Sequence, residues 1–105
     1  MTIEKARQRY IPMSETMLYI LLSLREERHG YGIMLHVKEL TKGRIVLGAG
    51  TIYQSIGKLE TDGLIRAVRE EDRKKLYSIT QLGTQVLDEE AVRIREVYRH
   101  LEVLL

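Results

Sequence analysis

The sequence predicts a mainly α-helical domain carrying one small β-hairpin. Three observations predict it. Apolar residues recur at helical spacing through much of the chain. Two short β-prone runs, LIRAV and KKLYSIT, flank the polar turn REEDR. The last stretch, TQLGTQVLDEEAVRIREVYRHLEVLL, carries apolar residues in alternating steps of four and three.

Composition sets the frame. A chain of 105 residues, 44% hydrophobic and 30% charged, has the size and balance of one folded domain. All 6 aromatic residues are Tyr, so the core must be aliphatic. Absence of Cys excludes disulfides and thiolate metal sites. The formal net charge of +2 is small, and the placement of charge matters more than its total. No apolar run approaches the roughly 20 residues of a membrane span. The charged start, MTIEKARQRYIP, lacks the apolar centre of a signal peptide, so the expected location is the cytoplasm.

In chain order, the first dozen residues read as a polar arm with Lys5, Arg7 and Arg9. Ser14 is the expected N-cap of a first helix, SETMLYILLSLREER, on the spacing of Met17, Leu18, Leu21, Leu22 and Leu24. His29-Gly30 reads as its stop, with Gly30 left-handed and His29 favoured by the helix dipole. GYGIMLHVKELTKG reads as a second helix, with Ile33, Val37 and Leu40 on one face and Gly43 at its end. RIVL, residues 44–47, reads as an extended stub.

Residues 49–62 form a third helix with Ile52, Ile56 and Leu59 on one stripe, ended by Gly63. The hairpin follows, and Thr80 caps a long last helix. Its seam of Leu87, Ala91, Ile94, Tyr98, Leu101 and Leu105 would lie exposed on a lone chain, so a homodimer is expected. Residues 1–79 then carry the arm, three helices and hairpin, and residues 80–105 the dimerisation helix of the same structural unit.

The stretch GAGTIYQSIGKLETD, residues 48–62, invites a phosphate-loop reading. Gly57-Lys58 is followed by Leu59 instead of a hydroxyl, and Tyr53 stands where a dinucleotide fingerprint needs its third glycine. Both nucleotide readings fail. As a helix, the same residues turn Gln54, Lys58 and Thr61 away from the apolar stripe, with Thr51, Tyr53, Ser55 and Gly57 beside them. Amide, ammonium and hydroxyl groups can pair with base edges or phosphate oxygens. A solvated helix face is the plain alternative.

Context favours the first. A short helix, a turn and a helix with a small polar face make a helix-turn-helix. The hairpin behind it carries Arg66, Arg69, Arg73, Lys74 and Lys75, a second basic contact point. On this reading Gln54 suits an adenine edge and Lys58 a guanine or a phosphate. Thr51 and Tyr53 suit phosphates through their hydroxyls, and Arg73, Lys74 and Lys75 suit the DNA backbone.

Other sites are weaker. His29, His36 and His100 lack i, i+4 spacing, so no metal or cofactor is expected. No local motif supplies a nucleophile with its base, so the chain is not expected to be an enzyme. Met17, Tyr19 and Tyr98 are candidates for an adaptable pocket at a dimer interface, for a small hydrophobic or aromatic effector.

The stretches HGYGI (29–33), LGAGTIYQSIGKLETDGLI (47–65) and RKKLYSITQLGTQVL (73–87) resemble the PadR-like transcriptional regulators. Thr51-Ile52-Tyr53, the run at 58–65 and the run at 75–83 are the specific parts. The resemblance implies a winged helix-turn-helix, a homodimer through the C-terminal helix, and repression at double-stranded DNA relieved by a small molecule. A palindromic operator follows from the two-fold symmetry of such a dimer. One long helix after the hairpin resembles the short branch of that family.

Two departures stand out. Glu70, Glu71 and Asp72 occupy the expected wing tip, and Gly48 stands where Ser or Asn is commoner. The acidic tip supports an alternative: a small-molecule sensor or protein-interaction module on this scaffold with weak or no DNA binding.

Overall fold

The computed structural model describes all 105 residues. Its elements are α1 (Ile3–Tyr10), α2 (Glu15–Ser23), α3 (Gly30–Leu40), α4 (Ala49–Thr61), β1 (Ile65–Glu71), β2 (Lys74–Ile79) and α5 (Gln81–Leu101). A 3-10 turn over Glu102–Leu104 follows. None of the helices is long and apolar enough to cross a membrane.

The expected polar arm is a helix, α1. Thr2 caps it by accepting the Lys5 N–H at 3.2 Å, and Ala6 and Tyr10, one helical step of four apart, are buried. The surrounding charges hid this stripe in the sequence. They are matched by partners far along the chain: Arg7 pairs with Glu89 on α5, and Arg9 with Asp62.

α2 begins where expected, with the Ser14 hydroxyl accepting the Met17 N–H at 3.1 Å. It stops at Ser23, short of the helix read through residue 28. Residues 24–28 lie along β2 instead. Arg28 and Tyr77 exchange backbone hydrogen bonds of 3.1 and 2.9 Å, and the Ile79 N–H donates to the Leu24 carbonyl at 2.8 Å. Pairing with a sheet edge here outweighs the helix propensity of LREER.

The reading of His29-Gly30 as a stop is also corrected. His29 is the N-cap of α3, its Nδ1 accepting the Gly32 N–H at 3.1 Å, and Gly30 is the first helical residue. A Cβ on Gly30 would lie 2.7 Å from the end of the Tyr53 side chain, so glycine there lets the ring lie close over α3. The left-handed stops are Gly43 and Gly63, at φ +82 and +80. Ile33 and Val37 are buried as expected, whereas Leu40 is half exposed.

In the hairpin, Ile65 pairs with Ile79 and Glu71 with Lys74, with a register irregularity between Ala67 and Arg69. Asp72 and Arg73 have φ of 50 and 65, the left-handed pair of a tight hairpin turn. The tip is therefore Asp72-Arg73, and not three carboxylates. Glu70 and Glu71 lie within β1, opposite Lys75 and Lys74.

The core gathers aliphatic side chains from α2, α3, α4 and α5, and α1 adds Ala6 and Tyr10. α5 is anchored by its first turn: Thr80 accepts the Gly83 N–H at 3.1 Å and donates to the Gly63 carbonyl at 2.6 Å. Leu87 is only 6% exposed and belongs to the chain's own core, while also bordering the groove between α2 and α5. Ala91, Ile94, Tyr98, Leu101 and Leu105 are exposed.

Candidate nucleic-acid interface

Burial of Ile52, Ile56 and Leu59 fixes the roll of α4 and turns Gln54, Lys58 and Thr61 to solvent, with Thr51 and Tyr53 exposed beside them. Ser55 is half-buried at the edge of the packed side. A Cβ at Gly48, Gly50 or Gly57 would meet nothing within 4 Å. Packing within the chain therefore does not require these glycines, although one inside a helix costs about 1 kcal/mol relative to Ala. Their effect is to keep the outer face of α4 low. Gly48 makes no side-chain cap bond, so the first N–H groups of α4 stay uncovered at the positive end of its dipole.

Two side chains on this face lean on neighbours. Tyr53 lies over Gly30 while remaining 55% exposed. Lys58 holds its Nζ 5.4 Å from the centroid of the Tyr10 ring, toward α1. It is drawn to the rim of the face by a cation–π contact, which sequence periodicity does not reveal.

The end of α4 is fixed by Asp62, a carboxylate at the unfavourable negative end of a helix dipole. It is buried, and its oxygens accept the Tyr10 hydroxyl at 2.6 Å and the Arg9 guanidinium at 2.8 Å. The Tyr10 hydrogen bond, helped by Arg9 and opposed by burial, holds the Asp62 carboxyl below its usual range. Burial, then the bond to Asp62, pushes the Tyr10 phenol up.

A second buried acid, Glu90 on α5, accepts the Met13 N–H at 2.7 Å and two bonds from Arg93 at 2.5 and 3.0 Å. Burial alone would raise its pKa, but Arg93 and the Met13 N–H outweigh it and the net direction is down. With the two bonds from Arg7 to Glu89, at 2.7 and 3.0 Å, residues 7–13 tie the end of α4 to α5. Sequence reasoning missed both acids. The available signal was Asp62 itself, an acid at a helix C-terminus just before the stop Gly63.

On the hairpin, Arg69 is engaged by Glu71 at 2.9 Å and by Glu27, so it fastens the wing to the 24–28 segment. Arg66, Arg73, Lys74 and Lys75 are exposed. The predicted effector residues are not gathered within one chain. Met17 borders a small cleft of about 180 Å³ with Arg9, Tyr10, Met13 and Lys58. Tyr19 stands beside Arg44, and Tyr98 is exposed far along α5. The apolar groove between α2 and α5, about 560 Å³, is lined instead by Leu18, Leu22, Leu87, Ala91 and Ile94.

Comparison with known proteins agrees with this geometry. The Transcriptional regulator PadR-like family matches residues 17–89. The Escherichia coli (strain K12) protein "Transcriptional regulator YqjI" is 31% identical over 97 residues, covering 91% of this chain and 47% of that protein. The chain thus spans about half the length of the curated relatives it matches. A PadR family transcription regulator from Clostridium difficile shares the fold at a TM-score of 0.75 and 21% identity, covering 87% of this chain and 98% of its own. Bacillus subtilis PadR, solved in complex with operator DNA, has a TM-score of 0.62 and 31% identity, covering 74% of this chain and 47% of its own. The chain belongs to the PadR-like family of transcriptional regulators, with that family's winged helix-turn-helix followed by a C-terminal helix.

Proposed function

We propose that this chain is a sequence-specific DNA-binding repressor that acts as a homodimer on a palindromic operator. The observation that carries the reading is the outer face of α4. Gln54, Thr51 and Thr61 stand on it beside glycines that pack against nothing, with exposed Lys74 and Lys75 on the following hairpin. The operator complex of the 31% identical Bacillus subtilis PadR supports it.

Dimerisation is read from α5, where Ala91, Ile94, Tyr98, Leu101 and Leu105 form an exposed apolar strip continuous with Leu18 and Leu22 of α2. A second copy packed there brings two α4 helices to half-sites about 34–36 Å apart. A hydrophobic effector held between dimer-related copies of α2 and α5, near Tyr98, would change that separation. It would weaken DNA binding by a coupling of about 1–3 kcal/mol. Action on DNA places the protein in the cytoplasm.

The alternative, a sensor or interaction module without DNA binding, rested on an acidic wing tip. The tip pairs one acid with one base, Asp72-Arg73, and Glu70 and Glu71 face lysines across the strands. That argument is thereby weakened.

Selection of bound duplexes from a random pool tests the proposal. Enrichment of a palindrome by wild type, with preference relaxed at one base pair by Gln54→Ala, is the expected result. No enrichment over the starting pool would overturn it.

A further inference from the structure

Away from the α4 face, the end of α2, the turn after it and α3 enclose a hollow of about 510 Å³, within the size range of small-molecule sites. Leu22, Arg25, Glu26, Arg28, His36 and Leu40 line it. Its charge is one-sided: two guanidiniums and an imidazole against a single carboxylate.

The basic groups are held in place by groups that are not themselves ligands. Ser23 is fully buried, and its hydroxyl donates to the Tyr19 carbonyl at 2.8 Å. A hydroxyl has only one proton to give, so toward His36 Nδ1, also 2.8 Å away, the Ser23 oxygen must accept. Nδ1 therefore carries the ring proton, and Nε2 remains as the unpaired nitrogen of a side chain that lines the hollow.

Arg28 is oriented from the same serine, donating through one terminal nitrogen to the Ser23 carbonyl. Glu26 approaches it only at 3.6 Å and is 81% exposed, free to swing into water. Arg25 is exposed and has no carboxylate partner. Leu22 and Leu40 are the apolar residues of the hollow's lining.

We propose that this hollow is a binding site for a small organic anion, a carboxylate or phosphate head on an apolar body. Arg25 and Arg28 hold the head, and Leu22 and Leu40 pack the body. Arg25, Glu26, Arg28 and His36 are the charged or titratable groups that face the ligand. Leu22 and Arg25 also line the α2–α5 groove, so the occupied site adjoins the surface read above as the dimer face. The site does not depend on DNA binding and is tested without DNA.

Calorimetric titration of the full chain in chloride-free buffer provides the test, with benzoate and phenyl phosphate as probes and benzyl alcohol as the uncharged control. Both anions are expected to bind saturably and the alcohol not. Arg25→Gln and Arg28→Gln should each weaken benzoate about tenfold. Neither change removes a core side chain, and unfolding midpoints matching wild type confirm intact folding. Binding of the alcohol as tight as the anions, or benzoate affinity unchanged in both variants, would overturn the proposal.

Discussion

The phenol of Tyr10 donates a 2.6 Å hydrogen bond to Oδ2 of Asp62, joining α1 to the last turn of α4 across 52 residues of sequence. Tyr10→Phe keeps the ring and its packing but removes this donor to a charged group. Urea unfolding should show a loss of about 1.5–3 kcal/mol, with m unchanged. A loss below about 0.5 kcal/mol would mean that Arg9 alone satisfies the carboxylate.

Asp62 and Glu90 both have pKa values held down in the folded chain. The sign follows from linkage. Their contribution is fully present above the unfolded carboxylate values, about 4, and is lost as pH falls through the lower folded values. The stability gap between wild type and Asp62→Asn or Glu90→Gln should therefore be widest near neutrality and shrink below about pH 4. A gap that stays constant with pH would show that neither charge matters to the fold.

Gly83 marks where α5 meets the start of the hairpin. A Cβ there would lie 2.1 Å from the Leu64 carbonyl oxygen, a backbone atom that cannot swing away. Gly83→Ala should cost about 3 kcal/mol, the upper end of overpacking penalties, and broaden amide signals at residues 63–65 and 80–84. A stability equal to wild type would contradict this packing.

Gly30→Ala meets a softer obstacle, the far end of the Tyr53 side chain. The fold should survive with a loss below about 1 kcal/mol, because the ring can turn outward. DNA affinity should nevertheless fall as Tyr53 leaves its place over α3. Unchanged affinity would remove Tyr53 from the interface.

The difference between these elements and those read directly from the sequence lies in how local their causes are. Ile52, Ile56 and Leu59 recur at the helical period, and Ser14, Thr80, Gly43 and Gly63 punctuate within a few residues, so α4, the caps and the stops were legible. The polar face of α4 followed from the same stripe. α1 was not legible, because Ala6 and Tyr10 are buried only by partners on distant elements. The end of α2 was misread because backbone pairing with Tyr77 and Ile79 decides it, and composition carries no trace of that. His29 and Gly30 look like a stop in the sequence because imidazole is an uncommon cap and Gly30 answers to a ring 23 positions away. The sequence presents Arg69 and Lys58 as cations for DNA contact, and only the packed structure shows what holds them.

The wing divides accordingly. Lys74→Ala with Lys75→Ala should weaken binding to all duplexes alike and reduce the salt slope by about 2 per protomer. Arg69→Ala, which frees Glu27 and Glu71, should lower wing order and leave the slope unchanged. Altered sequence preference in the lysine variant would place those residues on bases instead.

The most direct test of DNA binding through the α4 face and the hairpin is a salt titration of wild-type affinity for its selected duplex. Lys58, Arg73, Lys74 and Lys75 from each of two protomers set the expectation. The log–log slope should be about −5 to −7, at about 0.9 per neutralised phosphate with some contacts incomplete. A slope near zero, or binding that does not exceed that of an unrelated acidic polymer, would contradict the account.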